Sequence, residues 1–227
     1  MQIEPVFRDR ADAGRILAER VAESIQSPGS LVLALPRGGV PVAFEVARKL
    51  RAELDIFLVR KLGLPGQEEL AIGAIASGGV RVLNEGLIRE LQLSRNLIDQ
   101  ITAREGSELQ RREELYREGR TAVPVGGRTV ILVDDGLATG ASMKAATQAL
   151  RLQAPTRIIV AVPVAARDTC NEFRGSVDEI ICAYTPSPFT SVGTWYVDFA
   201  QTTDEEVQKL LEGAREEAAV REVPHAV

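Results

Sequence analysis

A chain of 227 residues with 45% hydrophobic, 26% charged and 4% aromatic side chains can bury the core of one α/β domain and lacks the bias of a disordered or fibrous protein. Its net charge of −5 gives no global basic field for DNA or RNA and leaves room only for a local basic pocket. With His225 as the one histidine, and Cys170 and Cys182 as the only cysteines, neither a zinc cluster nor a histidine-dependent triad can be assembled.

The first residues carry charges where a secretory signal needs an apolar stretch, and no run reaches the ~20 apolar residues of a membrane span, so a cytoplasmic location is expected. Residues 8–26 place Ala13, Ile16, Leu17, Val21 and Ile25 at helical spacing, and "SPGS" ends that amphipathic helix. "LVLALP" reads as a buried strand, "VPVAFEVARKLRAEL" as a helix packed on it, and "DIFLVRKL" as the next strand. Residues 63–69, "GLPGQEE", are expected to form an exposed loop. "LAIGAIASGGVRVLNE" is expected to be a hairpin turning at Ser77, Gly78 and Gly79.

Residues 87–118 are dense in Glu, Arg, Gln and Leu and read as a helical insertion in two segments, an arm or solvated face rather than core. A strand over Thr129 to Val133 follows, then a helix over Ser142 to Gln153 and the strands "TRIIVAVPVA" and "VDEIICAYTP". Near-continuous apolar strands alternating with helices predict an α/β fold, a mainly parallel sheet with helices on both faces. A last helix starts near "TTDEE", and the tail 213–227 is expected to fray. Residues 1–212 are therefore read as a single domain, and the two cysteines as small core residues ahead of a disulfide or reactive thiol.

The most informative stretch is "VILVDDGLATGAS", residues 130–142. A strand running into a glycine-bearing loop and a helix is a phosphate seat, because free amides and the helix dipole point at the anion. Ala138, Thr139, Gly140, Ala141 and Ser142 fit that role, with two hydroxyls as extra donors. No Lys follows Gly140 as a P-loop requires, and no GxGxxG turn is present, so ATP and NAD are not supported. Asp134 and Asp135 would repel a phosphate, so they face another part of the same ligand, either sugar hydroxyls or a magnesium ion. A phosphorylated sugar satisfies both halves. An aspartate-nucleophile phosphatase is disfavoured, since its acids are separated as DxD.

This stretch resembles the signature of type I phosphoribosyltransferases, in which adjacent acids engage the ribose hydroxyls and the loop holds the 5′-phosphate of phosphoribosyl pyrophosphate (PRPP). Two further segments are similar to parts of that family. "LPRGGVP", residues 35–41, matches its pyrophosphate loop, which implies Arg37, Gly38 and Gly39 for the leaving diphosphate. "VRKLGLPG", residues 59–66, is similar to the opening of its flexible catalytic loop, which implies Arg60 and Lys61 beside the same group and a lid from Gly63 to Leu70. The resemblance also implies a small hood over about 184–204, where "GTWYVDF" offers Trp195, Tyr196 and Asp198 to a base.

The implied reaction is transfer of the 5-phosphoribosyl group from PRPP to a nitrogen nucleophile, a purine-like base, with release of diphosphate and with Mg2+ held through PRPP. Asp134, Asp135, Arg37 and Lys61 are its catalytic candidates. The implied partners are PRPP and a small-molecule acceptor, with no nucleic acid and no membrane, and the insertion at 87–118 offers a surface for a homodimer. The competing reading is a regulatory protein of the same fold that binds PRPP or a nucleotide without catalysis; a basic face or an added DNA-binding domain would mark it, and neither is visible.

Overall fold

The computed structural model describes residues 4–25 and 29–222, and His225 lies outside them. Five strands form an all-parallel sheet: β1 (Leu31–Ala34), β2 (Glu53–Ile56), β6 (Thr129–Val133), β7 (Arg157–Val164) and β8 (Glu179–Tyr184), in the order β2-β1-β6-β7-β8. Strands buried on both faces need apolar residues at every position, which is why they read as unbroken runs. Val32, Ala34, Ile131, Val133, Ile159 and Ala161 line one face; Leu31, Leu33, Val130, Leu132, Ile158 and Val160 line the other. Helices α1 (Arg10–Ser24), α2 (Gly39–Leu50) and α7 (Asp204–Glu222) pack on the first face, while α5 (Ala141–Arg151) and α6 (Arg167–Phe173) pack on the second. The expected fold class is thus observed.

Several local expectations need correction. "DIFLVRKL" is two strands: after β2 the chain breaks at Phe57 and Leu58, and β3 (Val59–Leu64) joins a second, three-stranded sheet with β4 (Gln67–Ala76) and β5 (Val80–Leu83). The Leu58 amide bonds to Ser77 Oγ and the Ser77 amide to the Leu58 carbonyl, tying the break to the far end of the hairpin. Residues 63–69 are mostly strand, with only Pro65 and Gly66 turning, because the apolar alternation of β3 and β4 pairs almost to the tip. The turn at Ser77 to Gly79 is as expected, with Gly78 and Gly79 both at positive φ, where glycine carries no Cβ penalty. Ile16, read as a buried position of α1, is 42% exposed.

The insertion is α3 (Glu85–Glu90) and α4 (Arg95–Arg117), and α4 is not a solvated arm. Ile98, Ile101, Leu109 and Tyr116 recur on one face and enter the main core, leaving the charges on the other face. The first part of the tail expected to fray is helix: α7 continues to Glu222, with Val207 and Leu211 buried and Ala214 packed on the same core, while 223–227 lie outside the described residues. Cys170 and Cys182 are joined as a disulfide between α6 and β8, rather than standing as separate core residues. No helix among the described residues is long and apolar enough to cross a membrane.

The end of α4 is fixed by a buried ion pair. Arg117 Nε donates to Asp55 Oδ1 at 3.1 Å and its NH2 to the Ile56 carbonyl at 2.9 Å, while the Val123 amide donates to Asp55 Oδ2 at 3.0 Å. Both residues are at most 5% exposed, so removing either partner strands a buried charge. Arg117→Ala is expected to lower unfolding free energy by about 3–5 kcal/mol, read from the urea midpoint at constant slope.

Candidate functional site

β1 and β6 lie side by side, and the chain leaves them in opposite directions: α2 carries β1 outward to β2, and α5 carries β6 outward to β7. That divergence opens a crevice at the carboxyl ends of the two strands, where open parallel sheets seat ligands. Both loops singled out in the sequence start there. Leu35 to Gly39 leaves β1 and Asp134 to Ser142 leaves β6.

The two loops are in direct contact. A Cβ on Gly38 would lie 2.0 Å from Asp135 Oδ2, and one on Gly39 would lie 2.8 Å from the Val133 carbonyl oxygen. Only glycine permits this approach, so the glycines of "RGG" are needed for the loop to rest on the acid pair. Arg37, which follows a cis peptide from Pro36, is about one-third exposed, with NH1 3.7 Å from Asp204 Oδ1 at the start of α7. Tyr116 OH donates to the same Asp204 oxygen at 2.5 Å, and burial followed by that bond pushes the Tyr116 phenol up to about 12.

Each acid uses one oxygen internally. Asp134 Oδ1 accepts the Asp135 amide at 2.8 Å, and Asp135 Oδ2 accepts Arg10 Nε at 2.8 Å. The other oxygen of each has no hydrogen bond among the described residues, and both side chains are partly open to the crevice. Two adjacent acceptors are a natural seat for a vicinal diol. Burial first, and then the charge of Asp135, push the Asp134 carboxyl well above its ordinary range; burial also raises Asp135, against the opposing pull of Arg10.

The loop leading into α5 is shaped from behind by α6. Gly140 caps α5 with φ 71°, and a Cβ there would lie 2.8 Å from the Phe173 ring. Thr169 Oγ1 donates to the Ala138 carbonyl at 2.6 Å. Ala138, Thr139, Ala141 and Ser142 are exposed, leaving the free first-turn amides of α5 and two hydroxyls toward solvent.

The cations of β3 separate by strand alternation. Arg60 turns to α4, with NH2 2.6 Å from Glu105 Oε2, so its expected place beside the diphosphate is not observed. Lys61 is exposed and faces the opposite side, lining a cleft of about 710 Å³ with Ala141, Lys144, Ala145 and Gln148 of α5. The structure therefore brings Lys61 to the side of α5 that begins at Ala141.

In the hood, Trp195 and Tyr196 are 5% and 4% exposed and pack with Phe7, Ala13 and Val164 as a satellite core. Their rings close the edge of the molecule, and Trp195 Nε1 is buried without a hydrogen-bond partner among the described residues. Tyr196 OH donates to the Asp135 carbonyl at 2.5 Å, and Val192 lies where a Cβ on Gly136 would be, 2.4 Å away. Asp198 accepts the Ala200 amide at 2.9 Å and lines a cavity of about 340 Å³ with Arg10 and Pro41. Of the rings in residues 193–199, Phe199 is the exposed one, at 37%. Arg10 is the site residue that pattern reading missed: it lies 125 positions from Asp135, among charges that suit any solvated helix start.

With this geometry in place, comparison with known proteins is direct. The sequence profile of the phosphoribosyl transferase domain matches residues 64–183, just over half of the chain, and the chain belongs to that family. Two Mycobacterium tuberculosis proteins, each named a "putative phosphoribosyl transferase", are 47% identical over 214 residues, or 94% of this chain. The chain spans about half the length of these relatives, 48%. The crystal structure of TT1426 from Thermus thermophilus is 43% identical and superposes with a TM-score of 0.81, covering 90% of this chain and 97% of that one. This likeness extends over more of the chain than the profile, whose match begins after Arg37 and Lys61.

The raised carboxyl of Asp134 has a stability signature. A folded-state value above the unfolded one means stability is greatest at low pH and is lost as pH rises from the ordinary carboxylate range through the raised value. Asn keeps the oxygen that accepts the Asp135 amide and carries no charge. Asp134→Asn is expected to raise Tm at pH 8, and the gain is expected to shrink toward zero near pH 4 in calorimetric scans.

Proposed function

We propose that this chain is a phosphoribosyltransferase that moves the 5-phosphoribosyl group of PRPP to a nitrogen nucleophile, a purine-like base, and releases diphosphate. The observation that carries the reading is the meeting, in one crevice, of two free carboxylate oxygens, an open helix N-terminus and the Arg37–Gly39 loop. One ligand answers all three: a sugar with a vicinal diol, a 5′-phosphate and an anionic leaving group.

In this reading Asp134 and Asp135 take the ribose hydroxyls, and residues 138–142 hold the 5′-phosphate. The C1–O bond to diphosphate breaks as the acceptor nitrogen bonds to C1; the electron pair departs with the diphosphate, and the proton of the acceptor nitrogen is given up to solvent. Arg37 exchanges its long contact with Asp204 for that leaving group, joined by the Gly38 amide, while Lys61 closes from the hairpin; the Gly39 amide already donates to the Leu35 carbonyl at 3.1 Å. Positive charge developing on the sugar is favoured by the acid pair. No covalent nucleophile on the protein is required.

The described residues hold no group of three or more His, Cys, Asp or Glu arranged as a metal cage. In this reading magnesium would be carried in on substrate oxygens, with Asp134 and Asp135 as the carboxylates available to it; when bound, it would neutralise the diphosphate. The hood meets the acid loop through Tyr196, and this contact supports an acceptor seat between the hood and the acid loop, with Asp198 in the adjoining cavity.

The test is to incubate the protein with magnesium, PRPP and a panel of purines, pyrimidines and other amines, and to follow diphosphate. Release with a purine is the expected result. Thermal stabilisation by PRPP without release from any acceptor would overturn the enzyme reading in favour of a ligand sensor. Arg37→Ala is expected to lower turnover by about a hundredfold or more while leaving ribose 5-phosphate affinity within about twofold, since that product lacks diphosphate.

A further inference from the structure

Arg10 makes three contacts at once. Its Nε donates to Asp135 Oδ2 at 2.8 Å, its NH1 donates to the Ala200 carbonyl at 2.6 Å, and its guanidinium lies 3.9 Å from the centre of the Phe199 ring. The side chain is 11% exposed, so these contacts are made largely out of water. They join three parts of the molecule: the start of α1, the acid loop after β6, and the hood. Asp135 is held from the other sides as well, by Tyr196 OH on its carbonyl and by Gly38 against the same Oδ2.

Resting on the reading of the acid pair as the ribose seat, we propose that Arg10 is a positioning residue for that seat, fixing Asp135 so that its free oxygen faces the sugar and coupling that orientation to the hood. The reasoning is geometric. A carboxylate has two oxygens and one rotatable bond beyond Cβ. Anchoring Oδ2 to a planar guanidinium that is itself stacked on Phe199 fixes where Oδ1 points. Without the anchor, Asp135 turns within the space that Gly38 leaves, and the diol meets an acceptor that must first be ordered. The hood segment carrying Phe199 and Ala200 is part of the same brace, so the acceptor side and the ribose side are set together.

The experiment uses the full chain with Arg10→Met, which keeps bulk without charge, and Arg10→Lys, which keeps charge without the fork. Calorimetry measures the affinity of each for ribose 5-phosphate, 2,3-dideoxyribose 5-phosphate and inorganic phosphate. Wild type is expected to prefer the diol by about tenfold or more, the range of a hydrogen bond to a charged group. Arg10→Met is expected to reduce that preference to within about twofold of parity, with inorganic phosphate binding unchanged, and Arg10→Lys to restore part of it. A purely structural role would weaken all three ligands together, and an undiminished diol preference in Arg10→Met overturns the proposal. A ligand-free crystal structure of either variant separates this idea from the ribose reading. Asp135 unmoved overturns the positioning role whatever binds. Asp135 displaced, in a protein whose wild type shows no diol preference, supports the positioning role and removes the ribose assignment instead.

Discussion

The site depends on how closely two loops approach across the middle of the sheet. Gly38 lies against the Asp135 carboxylate with no room for a methyl group, and Gly39 against the backbone at the end of β6. Everything else follows from that contact. It requires β1 and β6 to be neighbours, which the parallel order β2-β1-β6-β7-β8 supplies, and it requires the helices after them to diverge. It also puts a cationic loop and an anionic loop in one crevice. The opposite charges of the two loops do not meet each other, because Arg37 leans toward Asp204 while Asp135 is taken by Arg10, which leaves both for one ligand under the proposed function.

The parallel sheet and the two loops are legible in the sequence because their signals are local. An apolar run of five residues, two acids, and a glycine with hydroxyls behind it need no distant information. The insertion misleads because charge density is a poor guide to exposure. Helix α4 is rich in Glu and Arg, yet it places Ile98, Ile101, Leu109 and Tyr116 in the core, and its Arg117 and Glu105 are buried against partners on β2 and β3. Composition reports the outer face of such a helix and hides the inner one. The break at Phe57 and Leu58 is hidden in the opposite way, since a residue run that stays apolar gives no mark where it passes from one sheet to another.

The candidate site is half legible for a related reason. Residues carrying chemistry within a motif, such as Asp134 and Asp135, announce themselves by spacing. Residues that hold those groups in place do not. Arg10, Thr169 and Phe173 each touch a motif loop from another element, and only three-dimensional proximity reveals them. The hood shows the reverse error: Trp195 and Tyr196 have the residue types of a base platform, but their rings are spent on a satellite core with Phe7 and Val164.

The brace through Arg10 has a consequence for how the protein comes to exist. It links residues 125 positions apart at Asp135 and 190 apart at Ala200, and the β1–β6 pairing beneath it joins Leu31 to Val130. Contacts this distant in sequence close large loops and form late in folding. The loops after β1 and β6 are both synthesised by residue 142, but the hood that Arg10 grips at Ala200 emerges only in the last third of the chain, so the brace is incomplete until then. Under the proposed function, the seat for the sugar phosphate is then fully braced only in the completed fold, and a chain truncated before the hood lacks the far anchor of Arg10.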